Sequence, residues 1–394
     1  MRYMKQQKAK RVAIALEMEW GFKRHVETYA GCQRYADKAG WECSITPSTA
    51  SFLKTENNAP PFDGILARTT SSLATTANRM NVPLVNLWMN SPVKGLPSVF
   101  PEFDVSGKIA AEHLLNRGFK RFGYLGFSRD KDAVSQLSGF RNRLNKEGLD
   151  CSAFRFLRRG ATTTTKGWKN LILGMEKWLA TLRPPVGIFV VNDLYCRYLI
   201  DVCRAKGLSI PEDLGIIGSS NEETICASPS PTLTSIDLNF EKVGYRAAKL
   251  LDQLMLGEKC PSNPILIPPN TIIPRQSTDS YAADHPVVSR ALRFISENAH
   301  KPIKVNDVAN KTGINRRSLE RQFHQSLNKS VAGEITRLRI ARVKRHLIES
   351  TSPLKTVARE CGFRNADHLY KVFTRIEKIT PSQYRNQLSN QGIA

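Results

Sequence analysis

Residues 304–385 contain two segments that repeat each other, and this repeat decides how the chain is organised. The segments read KVNDVANKTGINRRSLERQF (304–323) and PLKTVARECGFRNADHLYKVF (353–373). The small and apolar positions of the first, from Val305 to Ile314, recur 49 positions later, and Leu319 and Phe323 recur 50 positions later. Each copy predicts a short helix, a tight turn at glycine and a second helix with polar and basic residues. This is the pattern of a helix-turn-helix unit.

The charge of this C-terminal part indicates a polyanionic partner. The chain of 394 residues carries a formal charge of +23. Residues 285–394 hold 21 Lys and Arg against 8 Asp and Glu, or +13, whereas the preceding 284 residues hold 37 against 27, or +10. A merely soluble basic surface would explain the charge alone. The doubled unit favours double-stranded DNA, because the second helix of such a unit enters the major groove.

The polar residues of the two second helices are the candidate DNA contacts. Leu319 and Phe323 lie four residues apart and are expected to face the core, as are Leu369 and Phe373. The remaining candidates are Asn315, Arg316, Arg317, Ser318 and Arg321 in the first unit and Arg364, Asn365, Ala366, His368 and Lys371 in the second. Arg can bind guanine and Asn adenine through paired hydrogen bonds. Two such helices in one chain predict an asymmetric half-site per monomer and a pair of half-sites per dimer.

Residues 1–278 alternate apolar strands with amphipathic helices. Strands are expected at 11–16, 41–46, 63–67, 82–87, 121–127, 186–191 and 214–218, with helices at 25–39, 104–117, 138–148, 194–206 and 240–256. This order predicts an α/β fold with parallel sheets covered by helices. The polar stretch 279–286 is the predicted linker, and 287–394 is the predicted all-α domain with the two helix-turn-helix units.

Several runs between residues 99 and 278 resemble lactose-repressor-type sugar sensors. They follow the order of that family's second lobe: AEHLLNRGFKR (111–121), VND (191–193), IPED (210–213), PTLTSI (231–236) and IPRQST (273–278). The resemblance implies a two-lobed, periplasmic-binding-protein-like fold with a sugar in the cleft. Lactose-type repressors carry their DNA-binding unit before the sensor, whereas here the repeat follows it.

The second helix-turn-helix copy, together with TPSQYR (380–385), resembles the signature of the arabinose-regulator (AraC) family. Combined with the sensor, the chain resembles the xylose-operon type of activator within that family. The resemblance implies a cytoplasmic transcription activator, a small sugar effector such as xylose, a homodimer and contact with RNA polymerase. The alternatives are a ligand-responsive repressor and a regulator that senses a small molecule other than a sugar.

Candidate ligand residues are those whose side chains suit a sugar, with carboxylates, amides and Arg for its hydroxyls and aromatic faces for its ring; most of them lie in loops after strands, where ligands bind in open α/β sheets. They are Glu19, Trp20, Phe22, Arg24, Gln136, Arg141, Asn192, Asp193, Ser220 and Asn221. The resembling family commonly has a ligand-binding acid at the position of Asp193, although an Asp before a helix can also be only its N-cap. It usually has Asp where Ser220 stands here, which leaves the identity of the sugar open.

Other classes of protein find little support in the sequence. Eight cysteines are scattered without a CxxC pair or a Cys/His cluster, which is typical of a reducing compartment without structural zinc. No run approaches 18 apolar residues, and the apolar run at 12–16 ends at Glu17, so neither a membrane span nor a secretion signal is expected. The sequence also has no nucleophile, phosphate-loop or metal-ligand motif. We therefore expect that the protein is not an enzyme and binds no cofactor.

Overall fold

The computed structural model describes residues 9–18, 22–46, 61–259, 261–279, 285–350 and 352–389. Within these ranges the chain forms two α/β lobes followed by an all-helical part, as the sequence predicts. No helix of the described residues is long and apolar enough to span a membrane.

The first lobe is a four-stranded parallel sheet in the order β2-β1-β3-β4. Its elements are β1 (Arg11–Ala15), α1 (Lys23–Ala39), β2 (Glu42–Ile45), β3 (Gly64–Ala67), α2 (Ser71–Arg79) and β4 (Leu84–Asn86). A late helix, α8 (Phe240–Met255), returns to this lobe and packs along α1. The two helices come close because Gly31 and Gly244 each face the backbone of the opposite helix. A Cβ on Gly31 would lie 1.9 Å from the Glu241 carbonyl oxygen.

The second lobe is a six-stranded sheet in the order β12-β10-β9-β8-β6-β7, parallel except for β12. Its strands are β6 (Phe122–Phe127), β7 (Cys151–Phe156), β8 (Val186–Val190), β9 (Leu214–Ser219), β10 (Thr234–Asp237) and β12 (Thr271–Ile273). Its helices are α3 (Phe103–Asn116), α4 (Lys131–Asn145), α5 (Thr165–Thr181), α6 (Asp193–Ala205) and α7 (Glu223–Cys226). Two short strands, β5 (Val99–Pro101) and β11 (Ile265–Ile267), pair at the crossover between the lobes.

Some elements differ from the sequence prediction. The helix expected at 138–148 is α4 at Lys131–Asn145, because its apolar stripe begins earlier, at Ala133 and Leu137. Helices α2 and α5 and strands β7 and β10 were not predicted. Strand β7 lies at the sheet edge and is mostly polar or half-exposed, and α5 follows a run of four threonines, so both lack a strong sequence signal.

The helical part consists of two similar units joined by one long helix. Its helices are α9 (Pro286–Asn298), α10 (Val305–Thr312), α11 (Arg316–Leu327), α12 (Val331–Glu349), α13 (Leu354–Glu360), α14 (Ala366–Glu377) and α15 (Pro381–Ser389). The N-terminal half of α12 packs in the core of the first unit and its C-terminal half in the core of the second. Gly313 and Gly362 make the two turns with φ of 74° and 75°, a left-handed conformation that glycine adopts without strain. The sequence repeat is therefore a structural repeat.

Candidate functional site

A cleft lies between the two lobes, and its space, counted with the opening to solvent, is about 880 Å³. The lining residues come from both lobes: Leu16, Arg24, His25, Thr28, Arg68, Leu87, Trp88, Met89, Phe100, Pro101, Phe103, Phe127, Asp132, Gln136, Arg158, Val191, Asn192, Ser220, Leu238, Phe240 and Val243. Apolar walls with a few polar groups are typical of sites that bind one small ligand.

Four of the predicted ligand residues line this cleft: Arg24, Gln136, Asn192 and Ser220. Phe22 caps α1 and its ring lies 5.0 Å from the Arg24 guanidinium carbon, so it supports the cleft wall. Glu19 and Trp20 lie outside the described residues.

The other three predicted ligand residues lie elsewhere. Arg141, on α4, donates to the Cys151 carbonyl and lies 3.3 Å from the Asp150 carboxylate, away from the cleft. Asp193 is fully buried and accepts hydrogen bonds from the Ser235 hydroxyl (2.6 Å) and the Glu222 amide (2.8 Å). The Asn221 side-chain oxygen accepts from Arg275 at 2.8 Å. Their geometry thus gives these three side chains structural partners instead of a position on the cleft wall.

Sequence reasoning missed several polar or aromatic wall residues, among them Arg68, Trp88, Asp132 and Arg158. A signal for two of them exists, because Arg68 follows β3 directly and Trp88 comes two residues after β4. The strand-end rule therefore applies to them as well as to the strand ends of the second lobe. Asp132 and Arg158 lie in a helix start and an irregular loop, where the sequence carries no comparable signal.

Three guanidinium groups share the cleft, and the charge of Arg158 contributes to a lowered pKa of Arg24 and of Arg68. Burial, followed by the charge of Arg158, lowers the pKa of Arg24. The same two causes lower the pKa of Arg68 to about 10, although Arg68 is paired with the Glu17 carboxylate. Arg68 also stacks 4.7 Å from the Trp88 ring, and Arg158 pairs with Asp130 at 3.2 Å. The positive charges are thus concentrated on a partly dehydrated wall.

The neutral polar groups of the cleft are oriented by neighbouring elements. Gln136 is buried, its Nε2 donates to the Ser219 hydroxyl at 3.1 Å, and its Oε1 has no partner among the described residues. Asn192 caps α6 by accepting from the Tyr195 amide at 3.1 Å, which leaves its amide nitrogen to donate. Ser220 has φ of 108°, a strained conformation for a residue with a side chain, held at the end of β9. Gln136 Oε1 and Asn192 Nδ2 are therefore a ready acceptor and donor.

Two sets of hydrogen bonds bridge the lobes across the cleft. The Glu222 carboxylate of the second lobe accepts from the Lys23 amide, the first residue of α1, at 2.9 and 3.0 Å. Asn90 of the first lobe accepts from the Lys131 amide at 2.6 Å and donates to Asp132 at 3.1 Å. Both bridges join a side chain to the first turn of a helix, where backbone N–H groups lack intrahelical partners. The lobes are therefore held together at two points.

The second helices of the two units present a basic face. Arg316, Arg317 and Arg321 on α11, and Arg364 and Lys371 near and on α14, are all exposed. Among the described residues none of these five forms an ion pair, so their charge is available to phosphates or bases.

The remaining candidates of this face are partly engaged in capping. Asn315 accepts from the Ser318 amide at 2.8 Å, and Asn365 accepts from the His368 amide at 2.8 Å. Both Asn side chains therefore begin a helix, and their amide nitrogens remain as donors. Ser318 and Ala366 are half-buried beside the caps, while His368 is exposed.

The helical part rests on the second lobe through charged contacts. Arg337 of α12 pairs with the Asp279 carboxylate and donates to its carbonyl at 2.9 Å, and it also pairs with the buried Glu334. Arg117, at the end of α3, lies 3.7 Å from the same Asp279 carboxylate. Arg293 of α9 pairs with Asp213 at 3.1 Å. The contacts place helices of the first helix-turn-helix unit against the sensor.

Two protein families match the chain in the order of the observed parts. The periplasmic binding protein-like domain matches residues 111–278, and a helix-turn-helix domain matches residues 308–387. Both matches lie within the second lobe and the helical repeat, respectively.

Known proteins match across both parts. The chain is 30% identical to the xylose operon regulatory protein of Escherichia coli K12 over 277 residues, or 70% of each protein. It is 29% identical to the protein of the same name from Haemophilus influenzae over 281 residues, 71% of this chain and 72% of that one. A solved xylose-binding transcription activator is similar over 96% of this chain and 98% of its own, with a TM-score of 0.74 and 25% identity.

Proposed function

The chain belongs to the family of the xylose operon regulatory protein, and on that premise we propose that it activates sugar-utilisation genes when a monosaccharide, xylose or a similar one, occupies its cleft. It is a DNA-binding transcription regulator with an arabinose-regulator-type double helix-turn-helix unit and a periplasmic-binding-protein-like sensor. The proposal takes residues 1–278 as the sensor, 279–286 as the linker and 287–394 as the DNA-binding domain.

The observation that carries the proposal is the continuous arrangement of cleft, second lobe and DNA-binding part. A ligand in the cleft touches both lobes, so it binds the closed arrangement better than an open one. The second lobe in turn holds α12 and α9 through Asp279 and Asp213. A change in how the lobes close therefore moves the first lobe relative to the second lobe and the helix-turn-helix unit that it carries, and in a dimer this movement can link the sugar site to the DNA site.

On DNA, the exposed basic face of each second helix supplies the contacts. We assign base recognition to Arg316, Arg317, Arg321, Arg364 and Lys371, with the capping residues Asn315 and Asn365 as further donors. Ser318, Ala366 and His368 complete the surface. A monomer reads one asymmetric half-site and a homodimer reads a pair, and the bound activator then contacts RNA polymerase.

The test combines sugar binding with DNA binding on the full chain. Pentoses and hexoses are titrated into the protein by calorimetry, and DNA selected from a random pool by the protein provides the operator. We expect one monosaccharide to bind and to change operator affinity at least fivefold, the lower range of allosteric coupling. A reporter gene downstream of that operator should rise with the sugar. A sugar that binds but leaves operator affinity and transcription unchanged contradicts the proposal, and a falling reporter identifies a repressor.

A further inference from the structure

We propose that the natural effector is a sugar bearing an anionic group, a carboxylate or a phosphate, held by Arg24 together with Arg158 while a sugar hydroxyl donates to Gln136. This inference rests on the proposed function and specifies the class of sugar that the cleft takes.

The first argument is the composition of the cleft wall. Three guanidinium groups, those of Arg24, Arg68 and Arg158, line it, whereas Asp132 is the one carboxylate among the described lining residues. His25 adds no charge near neutral pH, because burial and the adjacent Arg24 lower its pKa to about 4. The lining side chains alone thus hold more guanidinium than carboxylate groups; Arg68 and Arg158 are paired with Glu17 and Asp130, and Arg24 is the lining guanidinium without a described carboxylate partner.

The second argument is that the carboxylates near the cleft already have partners. Glu17 pairs with Arg68, Asp130 pairs with Arg158, Glu222 accepts from the Lys23 amide, and Asp193 accepts from Ser235 and the Glu222 amide. Asp132 accepts from Asn90 and from the Ala133 amide with one oxygen. Apart from the second oxygen of Asp132, these carboxylates are already engaged, which leaves few carboxylate acceptors for the hydroxyl groups of a neutral sugar.

The third argument concerns Arg24. Its Nε donates to His25 at 3.3 Å and its guanidinium lies over Phe22, but no described carboxylate lies within ion-pairing distance. Burial and the charge of Arg158 both lower its pKa. A partly buried guanidinium that shares a cleft with a second one is unfavourable, and an anion placed between the two offsets that cost.

The fourth argument indicates a sugar and not a bare anion. Gln136 lies in the same wall, and its buried Oε1 has no partner among the described residues. A buried acceptor without a donor is unfavourable, and a sugar hydroxyl would satisfy it. The apolar and aromatic residues around it, among them Trp88 and Phe127, suit the carbon face of a sugar ring.

The test measures matched pairs of ligands on the full chain by titration calorimetry. The pairs are xylose with xylonate, glucose with gluconate and with glucuronate, and glucose with glucose 6-phosphate; inorganic phosphate and acetate serve as bare anions. We expect the acidic member of one pair to bind at least about tenfold more tightly than its neutral partner, because charge-assisted hydrogen bonds are the stronger ones. The carboxylate and phosphate arms distinguish the two anionic groups.

Variants connect this preference to the arginines. Arg24→Gln and Arg158→Gln should each weaken the acidic ligand about tenfold more than they weaken its neutral partner. Arg141→Gln is the matched control, since it removes the same charge from the second lobe outside the cleft. It should bind the acidic sugar like the wild type.

The outcomes separate this inference from the proposed function. A neutral sugar that binds as tightly as its acid overturns the inference and leaves the proposed function standing. Binding of phosphate or acetate alone with the affinity of the sugar also overturns it, because the sugar part would contribute nothing. If no neutral or acidic sugar binds, the proposed function itself fails.

Discussion

Asp279 joins the sensor to the DNA-binding part, and replacing it tests whether the ligand signal passes through this contact. Its carboxylate is partly buried, with 22% of the side chain exposed; it pairs with Arg337 of α12 and lies 3.7 Å from Arg117 of α3. Asp279→Asn keeps the shape of the side chain and removes its charge. Arg337 keeps its pairing with Glu334, so the change does not leave this guanidinium without a carboxylate.

The expected magnitude follows from these contacts. Hydrogen bonds to charged groups contribute roughly 1.5–3 kcal/mol each, and Asn retains part of one. We therefore expect the docking of α12 on the second lobe to weaken by about 1.5 kcal/mol, or about tenfold. If docking transmits the signal, the ratio of operator affinities with and without the sugar should fall by a similar factor.

The assay is fluorescence anisotropy of labelled operator DNA, titrated with wild-type and variant protein in the presence and absence of the sugar. Asp150→Asn is the control, because Asp150 is an exposed carboxylate of the same lobe that pairs with Arg141. Calorimetry first shows that both variants still bind the sugar. An unchanged affinity ratio in Asp279→Asn, within about twofold, would refute the route through Asp279.

Three further predictions concern the DNA face, the buried acid and the helix packing. Arg317→Ala should lose about 1–3 kcal/mol at particular base positions in a binding-site selection, whereas an equal loss on all sequences would make Arg317 a phosphate contact. Burial raises the pKa of Asp193 from 3.8 to about 6. Because the unfolded chain then ionises at lower pH than the folded protein, the folded protein should lose about 3 kcal/mol of stability as the pH rises from 4 to above 6. Asp193→Asn should remove that slope in urea unfolding at stepped pH; an unchanged slope contradicts this. Gly107→Ala puts a Cβ 2.0 Å from the Gln136 carbonyl oxygen, so it should lower the free energy of unfolding by about 1–3 kcal/mol, measured by thermal unfolding. An unchanged stability would show that α3 and α4 can move apart at no cost.

The helical part was predictable because its evidence is local. Turn glycines, core pairs such as Leu319 and Phe323, and polar residues at the start of each second helix repeat at constant spacing. The structure confirms the repeat and adds that Asn315 and Asn365, predicted as DNA contacts, cap the two second helices in the same way. Periodicity and capping depend on near neighbours in the chain, so a sequence reports them directly.

The cleft was less predictable, because its residues meet through tertiary structure. Asp193 follows a strand and precedes a helix, which predicts a wall residue as readily as a buried one. The difference is made by Ser235 and Glu222, which lie 42 and 29 residues away and bind its oxygens. Arg158 likewise reaches the cleft from an irregular loop after β7, a strand that the sequence did not predict.

The geometry of the lobes sets where a ligand signal can leave the sensor. The described contacts of the helical part, through Arg337 and Arg293, are with the second lobe and the segment that follows it. The bridges that close the cleft, at Glu222 and Asn90, join the second lobe to the first. A rotation of one lobe about the cleft would therefore not by itself disturb the DNA-binding part. Such a rotation changes DNA affinity only if the first lobe contacts a further partner. In a dimer, the second copy of the chain is the partner that would sense the movement.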